Sequence, residues 1–332
     1  MISPIQTSSH GLPKYKQLIW SVEEAIRSGK LSIGDALPSI NELRRSFGFS
    51  RDTIMTALNE LKARGIVQTV SGKGSYVSSA DVSVKQKIFL LFDEFNAFKE
   101  DLYNAFVENL PSHFQVDIYF HHFNREVFSK LILDQIGQYH YFVLMPANLP
   151  KTDEVIRQLP EGQIYILDQT NKGLMKYPAI YQNFETGIFD SLMTVKDKLN
   201  SYANLILIYP DKRQPKAMLS GFQRFKRLNN LNFELIKTMA GRCPKSGEVY
   251  LVLEDNDLII LIKAIKAKGL SLGKDVGVIS YNDSLFKEIL EGGITTISTD
   301  FKLMGSKLAQ MILNKENVQI ENPNRIIIRQ SL

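Results

Sequence analysis

From residue 87 to the end, short apolar runs alternate with amphipathic stretches, and this alternation leaves the chain very few architectures. The runs are KIFLLF, FQVDIYF, HYFVLM, QIYILD, AIYQNF, NLILIY, FELIKTM, EVYLVL, DVGVIS and TTIST. They are short and rich in β-branched and aromatic residues, as strands covered on both faces require. Helical patterns lie between most of them, clearest over 97–110, 184–199, 215–230, 258–268 and 301–313. Alternating strands and helices predict an α/β domain with parallel sheets, with room for two. In open parallel sheets, ligands sit beyond the C-terminal ends of the strands. The polar residues placed there are Asp93 and Glu94, Asp168, Asp211, Glu254 and Asp255, and Asn282 and Asp283. Each alone fits a helix cap or a loop. Five strand ends with such groups point to a polar small-molecule site suited to the hydroxyls of a polyol.

The first eighty residues follow another rule. Tyr15, Leu18, Ile19, Val22, Ala25 and Ile26 recur at three- and four-residue spacing, which predicts a helix over 14–28. Ser39 stands three residues before Glu42, the capping-box arrangement at a helix start. Ile40, Leu43 and Phe47 give that helix its inner face, and Gly48 ends it. Ser50 caps a third helix whose stripe is Ile54, Ala57, Leu58 and Leu61, stopped by Gly65. Two β-prone arms, 66–70 and 75–77, then flank Ser71-Gly72-Lys73-Gly74. Three helices and a hairpin with a cationic tip predict a winged helix-turn-helix. In that geometry the third helix enters the major groove with its N-terminal residues at base edges. Arg51 occupies that first turn, and a guanidinium fork matches guanine O6 and N7. Asp52 beside it is placed to restrain the fork. Ser50, Thr53 and Thr56 can bond phosphates or cap the helix, and Lys73 can reach phosphate or the minor groove. Lys62 and Arg64, late in the helix, are expected as surface residues or backbone contacts.

Charge supports the division. Residues 1–80 hold ten Lys/Arg against six Asp/Glu, so they carry four of the chain's net +5 charges. A basic module ahead of a nearly neutral body fits a polyanionic partner. No run of eighteen apolar residues occurs, and the N-terminus lacks a basic segment followed by an apolar core. The single cysteine, Cys243, excludes an intrachain disulfide and fits a reducing compartment, so a cytoplasmic location is expected. His121 and His122 are adjacent in a strand pattern and point to opposite faces, which makes a poor metal pair. No Walker A, G-x-G-x-x-G, H-E-x-x-H or G-x-S-x-G motif is present. Neither catalysis nor a cofactor is expected.

The residues from Pro13 to Val77 resemble the DNA-binding domain of GntR-family transcription regulators. The resemblance is carried by Pro13, Tyr15, Gln17, Gly29, Leu31, Gly34, Leu37-Pro38-Ser39, Glu42-Leu43, Gly48, Ser50-Arg51, Thr53, Ala57-Leu58, Leu61, Gly65, Gly72 and Gly74. Two positions depart from it: Asn41 and Met55 stand where members often have arginine. Arg51 and Gly72 carry over from the resemblance and Asn41 as a candidate; together with the residues read above, the expected DNA-facing set is Ser39, Asn41, Arg44, Ser50, Arg51, Asp52, Thr53, Met55, Ser71, Gly72 and Lys73.

The C-terminal stretches DVGVISYNDSLFKEILEGGITTISTDFKLMGSKLAQMIL and NRIIIRQSL resemble the effector domain of LacI/GalR-type repressors, a two-lobe periplasmic-binding-protein-like fold. By position this implies effector residues Glu94, Phe95, Phe98, Asp168, Glu254, Asp255 and Asn282. Met218 stands where members often carry a sugar-binding arginine, leaving Lys216 or Arg213 to replace it. The fusion resembles sugar-responsive regulators of the arabinose-repressor type. It implies a repressor that binds palindromic operator DNA as a homodimer, with a monosaccharide or derivative as effector. The expected division is 1–78 for the head, 79–86 for a linker and 87–332 for the body. Lobe 1 would cover about 87–183 and 300–318, and lobe 2 about 184–299 and 319–332. The alternative from another class is a sugar-binding or sugar-processing protein with an incidental DNA-binding-like head.

Overall fold

The computed structural model describes residues 13–80, 82, 86–210 and 213–332; the expected strand-end residue Asp211 and most of the expected linker lie outside these. The head comprises α1 (Lys14–Arg27), α2 (Ile40–Phe47), α3 (Arg51–Ala63), β1 (Val67–Val70) and β2 (Gly74–Val77). All three helical stripes meet in one core, where Leu18, Val22, Ile54, Ala57, Leu61 and Val77 are fully buried. Each buried aliphatic side chain of this size contributes about 2 kcal/mol. The capping box forms as the sequence requires. Glu42 N–H donates to Ser39 Oγ at 3.3 Å and Ser39 N–H donates to Glu42 Oε2 at 2.7 Å. These bonds hold the Glu42 carboxyl below its usual range. Thr53 N–H donates to Ser50 Oγ at 3.2 Å and so starts α3. β1 and β2 pair antiparallel, and Lys73 N–H donates to Val70 C=O at 3.0 Å to close the tip.

The body runs β3 (Gln86–Phe92), α4 (Ala97–Glu108), β4 (Phe114–Phe120), α5 (Arg125–Asp134), β5 (Tyr141–Leu144), α6 (Thr152–Ile156), β6 (Ile164–Asp168) and β7 (Ala179–Tyr181). It continues with α7 (Phe184–Thr194), α8 (Lys196–Leu199), β8 (Asn204–Ile208), α9 (Lys216–Arg227), β9 (Asn232–Ile236), β10 (Glu248–Val252) and α10 (Asp255–Ala267). It ends with β11 (Val276–Tyr281), α11 (Leu285–Ile289), β12 (Thr295–Thr299), α12 (Phe301–Asn314), β13 (Gln319–Glu321) and β14 (Asn324–Ile327). Every apolar run named above forms a strand. Two six-stranded sheets result, of order β13-β7-β6-β5-β3-β4 and β14-β12-β11-β10-β8-β9. All their registered pairs are parallel except β12 with β14.

The chain clusters into two compact units. One holds the head with residues 110–144 and 151–165, and the other holds 93–109, 145–150 and 166–332.

Four features differ from the sequence reading. The helix expected over 184–199 is interrupted at Val195, which leaves helical geometry at φ −105° and ψ 15°. Thr194 Oγ1 there donates back to Asp190 C=O at 2.9 Å, a bond that competes with the helix ladder. β13 pairs with β7, so the chain remains with the first sheet to Glu321 rather than leaving it at 318. Arg64 is buried, 6% exposed, and paired with Glu23 of α1. The C-cap residue of α3 thus turns toward α1 instead of water. Finally, Arg51 and Asp52 form no ion pair, because adjacent positions on a helix do not face one another.

Candidate DNA interface and ligand cavity

The head separates its two faces cleanly. Ile54, Ala57, Leu58 and Leu61 fill the core, which leaves Arg51, Asp52, Met55, Thr56 and Asn59 exposed along the opposite side of α3. Asn41, Arg44 and Arg45 are exposed on α2, and Ser71, Gly72 and Lys73 at the wing tip. The side chains of Arg44, Arg45, Arg51 and Lys73 make no hydrogen bond or ion pair among the described residues. Their positive charge is left to water or to an incoming anion. The hydroxyls of Ser39 and Ser50 are committed to capping, and Thr53 Oγ1 bonds Ser50 Oγ at 2.8 Å. Their part is therefore to fix the helix starts. Tyr76 Oη donates to Lys73 C=O at 3.1 Å and braces the wing tip.

Within the second unit lies a cavity of about 710 Å³, lined by Asn148, Gln169, Thr170, Tyr181, Gln182, Asn183, Phe184, Gln214, Pro215, Lys216 and Ala217. Lys216 is the sequence-expected residue in this lining. Gln169 and Thr170 follow β6, Gln182 and Asn183 follow β7, and Lys216 opens α9, so the lining collects at C-terminal strand ends and one helix start. Among the described residues the lining contains amides, hydroxyls, aromatic faces and the Lys216 ammonium, and no carboxylate.

The acidic candidates stand beside it and are engaged. Asp168 is buried and accepts from Gln182 Nε2 at 2.5 Å. Burial raises its carboxyl, opposed by the Lys99 charge and by amide hydrogen bonds. Glu254 accepts from Gln214 Nε2 at 3.4 Å, and Glu94 lies 3.7 Å from Arg213. Asp255 pairs at 2.8 Å with Lys287, a buried ammonium lowered by burial and partly restored by that carboxylate. Asp283 meets Arg329 through two bonds of 2.7 and 2.8 Å. Burial works against its charge, but Arg329 and Thr296 outweigh it and hold the carboxyl below its usual range. Phe98 stacks on Phe301 with centroids 4.9 Å apart, whereas Phe95 is 63% exposed. Asn282 sits at φ 59° with its side-chain oxygen buried and without a partner among the described residues. The amides Asn148, Gln169, Gln182, Asn183 and Gln214 were missed by sequence reasoning. Neutral amides carry no spacing signal, and only their positions after predicted strands pointed to them. No group of three or more potential metal ligands occurs among the described residues.

A winged helix with unpaired outward cations, joined to two parallel sheets with a polar cavity, defines a class: regulators with a DNA-binding head and a periplasmic-binding-protein-like body. The chain belongs to the GntR family of bacterial regulatory proteins. Residues 14–77 match "Bacterial regulatory proteins, gntR family", and residues 204–332 match "Periplasmic binding protein-like domain". The chain is similar to the HTH-type transcriptional repressor YtrA of Bacillus subtilis, 31% identical over 98 residues, or 29% of this chain and 75% of that one. It is also similar to the mannosyl-D-glycerate transport/metabolism system repressor MngR of Escherichia coli, 37% identical over 82 residues. That match covers 25% of this chain and spans 34% of the relative's length. Among solved structures, a LacI family regulator from Lactobacillus casei with bound glucose superposes with a TM-score of 0.60 at 17% identity. It covers 74% of this chain and all of its own, a likeness of fold. No helix among the described residues is long and apolar enough to cross a membrane.

Proposed function

We propose that the chain is a sequence-specific DNA-binding repressor whose operator affinity is set by a small sugar or sugar derivative held in the body's cavity. One observation carries this reading: the same chain has a helix start with exposed cations that find no partner among the described residues, and a polar cavity whose described lining holds no charged acceptor. Arg51 takes the base-reading role, with Asn41, Arg44 and Met55 beside it and Lys73 on phosphate. Ser39, Ser50 and Thr53 hold the helix starts, Asp52 flanks Arg51, and Ser71 and Gly72 shape the wing. In the body, Lys216 and the lining amides meet the ligand's hydroxyls, with Asn282 as a further contact. Glu94, Phe95, Phe98, Asp168, Glu254 and Asp255 form the surround that orients them. This reading keeps the division into a head over 1–78, a linker and a two-lobe body over 87–332. It places the protein in the cytoplasm and assigns it no catalytic step.

A homodimer belongs to the same reading. Ile259 and Ile260 on α10, and Leu285, Phe286 and Ile289 on α11, are exposed apolar side chains. The Asp255–Lys287 bridge joins these two helices, so the apolar residues lie on adjoining elements. A sugar that binds one lobe arrangement better than the other shifts their balance and hence the spacing of two heads on a two-fold operator. By reciprocity, operator DNA changes sugar affinity by the same factor. A gel shift on operator DNA, with and without a monosaccharide panel, tests this. Release of the DNA by one sugar is expected. An operator affinity that no sugar moves removes the effector half of the proposal.

A further inference from the structure

The two ends of α3 have different surroundings. Arg51 opens the helix, and Met55 and Asn59 follow at four-residue steps on the same exposed side. Asn59 lies about 12 Å along the axis from Arg51. There the stripe meets the body, within the compact unit that holds the head and residues 110–144. A Cβ on Gly137, in the loop after α5, would stand 3.2 Å from Asn59 Cγ and 3.3 Å from its Oδ1. Gly137 has no Cβ and holds φ 77°, so the loop backbone comes up against the helix side chain.

Two more contacts fall on the same end of the helix. Gly65 follows the C-cap of α3, and a Cβ there would lie 3.8 Å from Lys87 Nζ of β3. The Lys87 ammonium is thus placed at the helix C-terminus, where the last carbonyls carry partial negative charge. Arg64, the C-cap residue, donates from Nη2 to Val82 C=O at 3.3 Å, and Val82 packs against the head core. The body side of the contact is held in one piece. His140 N–H donates to Lys87 C=O at 2.9 Å, and Lys87 N–H donates to His140 Nδ1 at 3.0 Å. Gln138 N–H donates to Gln135 C=O at 3.0 Å and turns the loop that carries Gly137. Gly137 and Lys87 therefore belong to one surface, and both meet the C-terminal part of α3.

A head hung on a tether needs none of these contacts, and its recognition helix takes its direction from the DNA alone. A helix clamped at its far end behaves as a rigid rod, so its near end is aimed by whatever holds it. We propose that the C-terminal end of α3 is docked on the body surface carrying Gly137 and Lys87, so that the body fixes the direction in which Arg51 points. The inference rests on the proposed DNA-binding homodimer.

The test is the separation of half-sites that the protein accepts. Each base pair inserted between two half-sites turns one against the other by about 35° and moves it by about 3.4 Å. Docked heads cannot follow that change. Selection from a random duplex library supplies the wild-type site, and duplexes with successive base pairs inserted at its centre are then titrated. Wild type should prefer one separation over its neighbours by roughly ten-fold or more. In Gly137→Asn the new residue tolerates the left-handed backbone, but its side chain meets Asn59. The preference should fall to roughly three-fold or less, with affinity for a single half-site within roughly three-fold of wild type. Lys87→Gln, which removes the charge at the helix end and leaves Gly137 in place, should lower the preference by a smaller factor. Loss of the preference in either variant upholds the docking. Wild-type binding that treats neighbouring separations alike, or a preference kept in full by both variants, overturns the docking alone. A wild-type selection that enriches no paired site overturns the proposed function and the docking with it.

Discussion

In the head, Arg44, Arg45, Arg51 and Lys73 face solvent without a partner among the described residues, whereas in the body Lys99, Lys287 and Arg329 are each held against a carboxylate. The same residue types are used in opposite ways. A polyanion brings its own counter-charge, so a surface meant for it leaves cations unneutralised and gains affinity by releasing the counterions of DNA. A cavity for a small polar ligand gains little from many free charges, which cost desolvation, and this one has a single ammonium, Lys216, in its described lining. It is better built from amides whose orientation is fixed from behind. Arg64 is the exception that sharpens the contrast, a head cation treated as the body treats its own.

The largest expected effect follows from that exception. Arg64→Met strands the Glu23 carboxylate in the head core and should destabilise the head by about 3–5 kcal/mol. Thermal unfolding checks this, and an unchanged melting temperature would place Arg64 with the outward cations. His140 tests the body's preference for neutral or paired interior groups. Its Nδ1 accepts from Lys87 N–H at 3.0 Å, which requires the neutral ring. Burial lowers its pKa to about 4, helped by the charges of Arg64 and Lys87. The unfolded ring titrates near 6.5, so the unfolded state binds the proton first as pH falls. Stability should therefore decline from about pH 6.5 to about pH 4, by about 3 kcal/mol in all, and level off below. His140→Gln should flatten that part of the profile in urea titrations; an equal slope would acquit His140.

Smaller effects belong to the DNA side. Ser50→Ala removes the α3 cap and should cost about 1 kcal/mol of stability, with operator affinity falling because the helix start frays. Lys73→Ala should weaken binding to all duplexes alike and reduce the slope of log K against log salt by about 1. A full wild-type slope would remove the wing from the interface.

Much of the fold was legible because buried parallel strands write themselves as continuous apolar runs. KIFLLF and EVYLVL leave little choice once Gly, Asn or Asp bounds them. β13 and β14 were hidden for the converse reason. QIE and NRII are short and mix polar with apolar residues, and their place is set by neighbours distant in sequence. The caps and the exposed face of the head were readable because capping and turn residues have fixed spacing. The cavity was less so: Asn148, Gln182 and Gln214 come from three separate loops, and nothing local distinguishes them from other amides. Arg64 misled because a late helical cation usually faces water, and only the packing of α3 on α1 reveals its partner.

The central claim is that the start of α3 reads DNA through Arg51. Its direct test is selection from a random duplex library by the wild-type chain and by Arg51→Ala, at one fixed salt concentration. The wild type should enrich a two-fold symmetric site. Arg51→Ala, with an unchanged melting temperature, should lose roughly 10- to 100-fold of the preference for that site over random DNA, in line with one bidentate base contact. Enrichment of the same site to the same degree by Arg51→Ala would contradict the account.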